Sequence, residues 1–191
     1  PYLMQQRHPE FGFANLDAPK AQNLQSKDLA MISARQNSTG GIGTWHATPK
    51  TNPFISAYAL QYMLELKDTG IAVPENLLKN TTAYLQTFAD NPAYNSLPNL
   101  RLKAYIAYLI ARQEQVPTNL LAMVQKQMDK YYPEQLKTDV ASAYMAATYK
   151  LLKQDKEADK LMAKAVKVLA RKNRGEWEWD YENYYDPLVR D

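Results

Sequence analysis

The side chains best equipped for chemistry crowd towards the end of the sequence, where Glu176, Glu178, Asp180, Glu182 and Asp186 alternate with Trp177, Trp179, Tyr181, Tyr184 and Tyr185. Carboxylates set among aromatic rings suit a carbohydrate-processing site. There one carboxylic acid protonates a leaving oxygen while a second carboxylate acts as base or nucleophile across the bond. Spacing alone does not put two of these groups on opposite sides of a substrate. The same residues read more simply as a long rim loop, packed by its own aromatics and leading into a further helix. His46, directly after Trp45, is the next candidate, as a base near a reactive edge; the plainer reading is a solvent-facing or loop-bracing imidazole. His8 stands alone. Two separated histidines and no cysteine leave no metal triad, thiolate zinc site, disulfide or cysteine nucleophile. No catalytic, cofactor-binding or metal-binding residue is assigned, no cofactor is expected, and the chain is read as a scaffold rather than an enzyme.

The elements that would position these groups are helices. Phe54–Leu66 carries only Ser56, Gln61 and Glu65 as polar residues, without a continuous polar stripe, and is expected to be buried all round. Leu100–Ala111, with Arg101 and Lys103 at its start, and Val140–Leu152, rich in Ala, Tyr and Met, read the same way. Between them lie one-sided helices. Pro74–Phe88 has its face in Leu77, Leu78, Thr81, Tyr84, Leu85 and Phe88, and Asn119–Tyr131 in Leu120, Leu121, Val124 and Met128. Lys156–Ala170 shows Ala158, Leu161, Met162, Ala165, Val168 and Leu169. A first helix over Ala21–Arg35 makes about seven in all.

Buried and half-exposed helices alternate with a repeat of roughly forty residues, which predicts an all-α chain built as an α/α toroid, an incomplete ring of inner helices wrapped by outer ones. An open helical-repeat binding module is the alternative, and a carbohydrate-processing toroid enzyme a second one. Pro53 and Pro74 are expected at helix starts and Asp68-Thr69-Gly70 at a helix end. Short links at Gly70–Val73, Glu114–Thr118 and Gln154–Asp155 are expected to alternate with longer ones at Gln36–Asn52, Asp90–Pro98 and Lys172–Leu188, placing the long loops on one rim. In Gln36–Trp45 a glutamine, a glycine run and Trp45 as an aromatic plug should form a compact turn. Tyr58, Tyr62, Tyr105, Tyr108, Tyr144 and Tyr149 are expected in the core with their phenols hydrogen-bonded. Asp139 reads as a helix cap.

With 191 residues, 46% of them hydrophobic, and no shift in composition, residues 1–191 read as one domain. The 23 basic and 20 acidic side chains leave a net charge of +3, too small and too scattered to mark a nucleic-acid surface. No apolar run of about eighteen residues is present, so no transmembrane segment is expected in these residues. Asn37-Ser38-Thr39 and Asn80-Thr81-Thr82 fit the glycan acceptor pattern, which has force only in a eukaryotic secretory pathway. A chain opening on Pro1 and closing on Pro187-Leu188-Val189-Arg190-Asp191 reads as part of a longer protein.

Several blocks, taken in order, resemble the thioester domain of bacterial α2-macroglobulins. They are Gln36 with Gly40-Gly41-Ile42-Gly43-Thr44-Trp45, then Pro53-Phe54-Ile55-Ser56-Ala57-Tyr58-Ala59-Leu60, Val73-Pro74, Ile110-Ala111-Arg112-Gln113, and Trp177-Glu178-Trp179-Asp180-Tyr181 with Asp186-Pro187-Leu188-Val189-Arg190-Asp191. The resemblance implies a large periplasmic protein, often tethered by a lipidated N-terminus outside these residues, that traps proteases once they cleave a bait region. Its partners would be other domains of the same polypeptide and target proteases. In that family a Cys-Leu-Glu-Gln motif forms an internal thioester, kept dry until cleavage exposes it to an amine. This sequence has no cysteine and no such motif. By the family's spacing the motif would fall just before Pro1, or the chain belongs to the branch without a thioester.

Overall fold

In a computed structural model the backbone is described for residues 18–172, and side chains for residues 23–163 apart from Lys137. The described residues hold α1 (Ala18–Arg35), α2 (Pro53–Asp68), α3 (Glu75–Asp90), α4 (Leu97–Ala111), α5 (Thr118–Tyr131), a 3-10 turn (Gln135–Lys137), α6 (Val140–Leu151) and α7 (Asp155–Lys172). Each helix read from the sequence is present, with ends displaced by at most three residues. A single antiparallel bridge, Gln36 to Ile42, joins extended residues within the loop after α1.

Helix ends follow from local chemistry. The Asn52 side chain accepts from the Phe54 N–H at 2.9 Å, with Pro53 as the first helical residue of α2, where a missing N–H costs nothing. The Pro74 carbonyl accepts from Leu78 N–H at 3.2 Å and so opens α3. At the end of α2, Gly70 takes φ +82°, its N–H reaches the Lys67 carbonyl at 3.0 Å, and Ile71 N–H reaches the Leu66 carbonyl at 3.0 Å. That pair of bonds is a Schellman motif.

The described residues form two compact units, with the division after Phe88. In the first, Tyr62 of α2 donates to Asp28 of α1 at 2.8 Å, and Leu60, Met63, Leu64, Leu66, Leu77 and Leu85 are buried. In the second, α4 packs against α5 and α6, and α6 against α7. Tyr105 and Tyr108 of α4 meet Tyr144 of α6 with ring centres 4.8 and 6.0 Å apart. Inner helices α4 and α6 are thus neighbours, each backed by the half-exposed helix that follows it.

Burial bears out the inner–outer distinction with instructive exceptions. Helix α4 is the most complete inner helix, with twelve of its fifteen residues buried. In α5 the buried set is Leu120, Leu121, Val124 and Met128, as the periodicity predicts. Helix α2 is not buried all round: Tyr58 is 65% exposed and stacks on half-buried Phe54, with ring centres 6.3 Å apart. Helix α6 is not buried all round either: Ala141, Ser142, Met145, Ala146 and Thr148 are buried, but Tyr144 and Tyr149 are half-buried and Lys150 and Leu151 exposed, so it buries one face rather than its whole circumference. Of the face expected on α7, Ala158 and Leu161 are buried but Met162 is exposed, while the side chains of Ala165, Val168 and Leu169 lie outside the described residues. The expected alternation of loop lengths fails too. The connection 36–52 is long, but 91–96 is no longer than 112–117, and Lys172–Leu188 lies almost wholly outside the described residues.

Candidate functional site

The most highly built local structure is the turn after α1, inside the first unit. Gln36 donates through Nε2 to the Leu77 carbonyl at 3.0 Å and to Thr81 Oγ1 at 2.9 Å, fixing the end of α1 to α3. Asn37 folds the turn with both ends of its amide. Its Oδ1 accepts from Thr39 N–H and Gly41 N–H, each at 3.0 Å, and its Nδ2 donates to the Thr48 carbonyl at 2.8 Å. Ile42 N–H donates to Ser56 Oγ on α2 at 2.9 Å, and Ile42 itself is buried. Four backbone segments are tied to one another by side-chain amides and hydroxyls, which give backbone carbonyls and N–H groups of the turn partners that no ladder supplies.

Glycine is required by close approach. Gly40 has φ +91°, and a Cβ on it would fall 2.1 Å from the Asn80 carbonyl oxygen of α3. A Cβ on Gly43 would fall 2.0 Å from the His46 carbonyl oxygen. The glycine run therefore lets the turn lie flat on α3 and double back on itself.

Trp45 corrects the sequence reading. It is 81% exposed and plugs nothing; Ile42 is the apolar residue the turn buries. The reason is phase: the bonds from Ile42 to α2 and from Gly43 N–H to the Arg35 carbonyl, at 3.0 Å, use up the inward side of the turn, and residues 44–47 form its outward tip. His46 shares that tip and is exposed, with no carboxylate or nucleophile set against it by any described contact, so the solvent-facing reading holds. The acidic–aromatic cluster 176–186 and His8 lie outside the described residues. Among the described residues no group of His, Cys, Asp or Glu could hold a metal ion, and no helix is long and apolar enough to cross a membrane.

Chemistry that sequence reasoning missed lies in the second unit. Arg101, on buried α4, places Nε 2.8 Å and Nη2 2.6 Å from Asp139 Oδ2, with side chains 3% and 4% exposed. Asp139 also caps α6, accepting from Ala141 N–H at 2.9 Å, so the expected cap is present and carries a buried ion pair as well. Lys103, fully buried, donates from Nζ to the Asn91 carbonyl at 2.6 Å; burial holds its ammonium below the ordinary lysine range, and the nearby Asp90 carboxylate partly offsets this. Two cations inside an otherwise apolar helix were the available signal, because a buried charge needs a partner. Helix α5 and Tyr149 border a wide, shallow depression lined by Ala122, Gln125, Lys126, Asp129 and Lys130. Among the described residues these contacts do not bring a nucleophile, a base and an orienting group together.

Helices of alternating burial, with adjacent inner members backed by outer ones, define an all-α protein of the α/α-toroid class. No family model matches the chain. It is 40% identical over 191 residues, its whole length, to an α2-macroglobulin homologue of Yersinia pestis, of which it spans 9%. Its fold is that of the corresponding part of two solved structures. One is Salmonella α2-macroglobulin reacted with methylamine, with a TM-score of 0.73, 14% identity, and coverage of 93% of this chain and 11% of that one. The other is trypsin-activated α2-macroglobulin from Escherichia coli, with a TM-score of 0.63, 16% identity, and coverage of 73% and 10%. The chain is a segment of bacterial α2-macroglobulin type, and it spans about a tenth of the length of the relatives it matches.

Proposed function

We propose that residues 1–191 are a single domain of a bacterial α2-macroglobulin-like protease trap, the thioester-type toroid, acting as a non-enzymatic scaffold around a thioester site that lies upstream of these residues or is absent. The observation that carries this reading is the 40% identity to the Yersinia pestis homologue over the whole of the chain. The solved relatives add that one α2-macroglobulin has been obtained activated by trypsin and another reacted with methylamine. A protease substrate and a small amine are what a bait-triggered acyl donor would meet. The scaffold's contribution is mechanical and dielectric: tightly tied helix ends hold a shape, and a dry apolar interior protects an acyl–sulfur bond from water until exposure. The family resemblance adds a periplasmic location, a lipidated anchor outside these residues, and partners in the other domains of the polypeptide and in target proteases.

The test uses the intact parent protein. Trypsin added to it should be retained in a complex that survives size-exclusion chromatography, and failure to retain any of several proteases would sink the trap reading. Methylamine treatment then separates the two branches. Uptake of one amine with release of one thiol places a thioester in the same polypeptide, and no uptake by fresh protein that still retains trypsin assigns it to non-covalent trapping.

A further inference from the structure

The outward tip of the turn presents an indole to water on a backbone that is already fixed. Trp45 is 81% exposed. On one side of it Gly43 N–H is held by the Arg35 carbonyl, and on the other the Thr48 carbonyl is held by Asn37 Nδ2. Docking such a side chain costs little ordering entropy, which is the condition under which a single aromatic anchor is effective. Along the sequence its surroundings carry one sign of charge: no Asp or Glu occurs from Gln36 to Leu64, and Lys50, five residues after Trp45, is exposed, as are Thr44, His46 and Ala47.

Size selects the occupant. One tryptophan offers about 150–250 Å² of contact, against roughly 800 Å² per partner in a stable complex of free proteins. A tethered partner is different, because linkage raises its effective concentration to about the millimolar range. The chain spans 9% of its Yersinia pestis relative, so most of such a polypeptide is tethered to this segment. We infer that Trp45 is the anchor by which this segment docks onto a neighbouring domain of its own polypeptide, in an apolar slot edged by carboxylates that face Lys50. The inference rests on the reading of the chain as one module of a longer α2-macroglobulin-like protein.

Hydroxyl-radical footprinting of the intact parent protein, read at Trp45 by mass spectrometry, tests it. Oxidation of Trp45 should be about tenfold slower in the wild type than in Lys50→Glu, the factor that separates a mostly docked from a mostly undocked anchor. Lys50→Arg should keep the protection, and both variants should melt where the wild type does. Equal oxidation rates in wild type and Lys50→Glu would overturn the proposal. So would protection that fades on dilution, which would assign the tip to a second copy, or protection that arises only after a protease is captured. Retention of trypsin is measured on the same preparation. Trp45 protection without trypsin retention supports the interface and removes only the trap reading.

Discussion

Arg101 and Asp139 show how a few polar atoms can fix helices whose apolar surfaces would tolerate several packings. The guanidinium approaches one carboxylate through two nitrogens, and the same carboxylate caps α6, so the pair sets α4 against the first turn of α6. A buried pair of this kind adds little net stability over an apolar substitute, but removing one partner strands the other charge. Arg101→Met should therefore destabilise the chain by about 3–5 kcal/mol. Arg101→Met combined with Asp139→Asn should recover part of that loss, since the amide can still cap α6 and no charge remains buried. Urea denaturation of the two single variants and the double variant measures the coupling, and additive losses would show that the two side chains do not act as a unit. Gln36 works on the same principle without charge, giving its amide protons to Leu77 and Thr81 of α3 across a long stretch of sequence.

Two helices end in one device built from different residues. After α6, Lys153 takes φ +59°, Lys153 N–H reaches the Lys150 carbonyl at 3.0 Å and Gln154 N–H reaches the Tyr149 carbonyl at 2.9 Å. These are the bonds that Gly70 and Ile71 make after α2, but with a lysine in the left-handed position that favours glycine. Lys153→Gly should stabilise the chain by about 1 kcal/mol, and Gly70→Ala should destabilise it by about 1–2 kcal/mol, because a Cβ in that conformation crowds its own carbonyl. Space is no obstacle at Gly70, where nothing lies within 4 Å of a built Cβ. Shifts of opposite sign in the thermal midpoint confirm the shared motif; shifts of the same sign refute it. The element scale is where the sequence was most legible. Apolar periodicity located each described helix, and the Asp68-Thr69-Gly70 and Pro53 signals located ends, because capping is a local matter. Tyr58 and Met162 were misplaced because periodicity reports which face a residue shares and not whether a neighbour covers it. Trp45 was misplaced because a turn's inward side is set by long-range bonds to Ser56 and Arg35, which no local pattern encodes. The Arg101–Asp139 pair was half legible: the cap could be read from Asp139, but the partner lies 38 residues away.

At the scale of the molecule, buried Lys103 and half-buried Tyr62, Tyr144 and Tyr149 are shifted in ways that oppose one another in their effect on stability, and together these four described groups contribute a stability maximum at alkaline pH. Burial lowers the Lys103 pKa from the ordinary 10.5, so between its depressed value and 10.5 the unfolded chain binds a proton that the folded chain has released. Stability rises with pH wherever the unfolded state holds more protons, so this group contributes an increase through that window. The tyrosines run the other way. Burial, and then the hydrogen bond to Asp28, push the Tyr62 hydroxyl above the ordinary 10.0; Tyr144 and Tyr149 are raised mainly by burial. Above 10.0 the unfolded chain loses phenolic protons that the folded chain keeps. The stabilising contribution of these three groups is complete below 10.0 and is lost as pH climbs through their raised values. The contribution of these groups to the urea midpoint should therefore climb as pH rises from the depressed Lys103 value towards 10.5, and fall as pH climbs above 10.0 through the raised tyrosine values. Lys103→Met should flatten the rising limb, because a thioether has no proton to release. Tyr62→Phe should soften the descent, at the cost of the hydrogen bond that ties α2 to α1. A midpoint that declines monotonically from neutral pH, with Lys103→Met unchanged in slope, would mean that the Lys103 ammonium keeps its proton against the Asn91 carbonyl throughout the range.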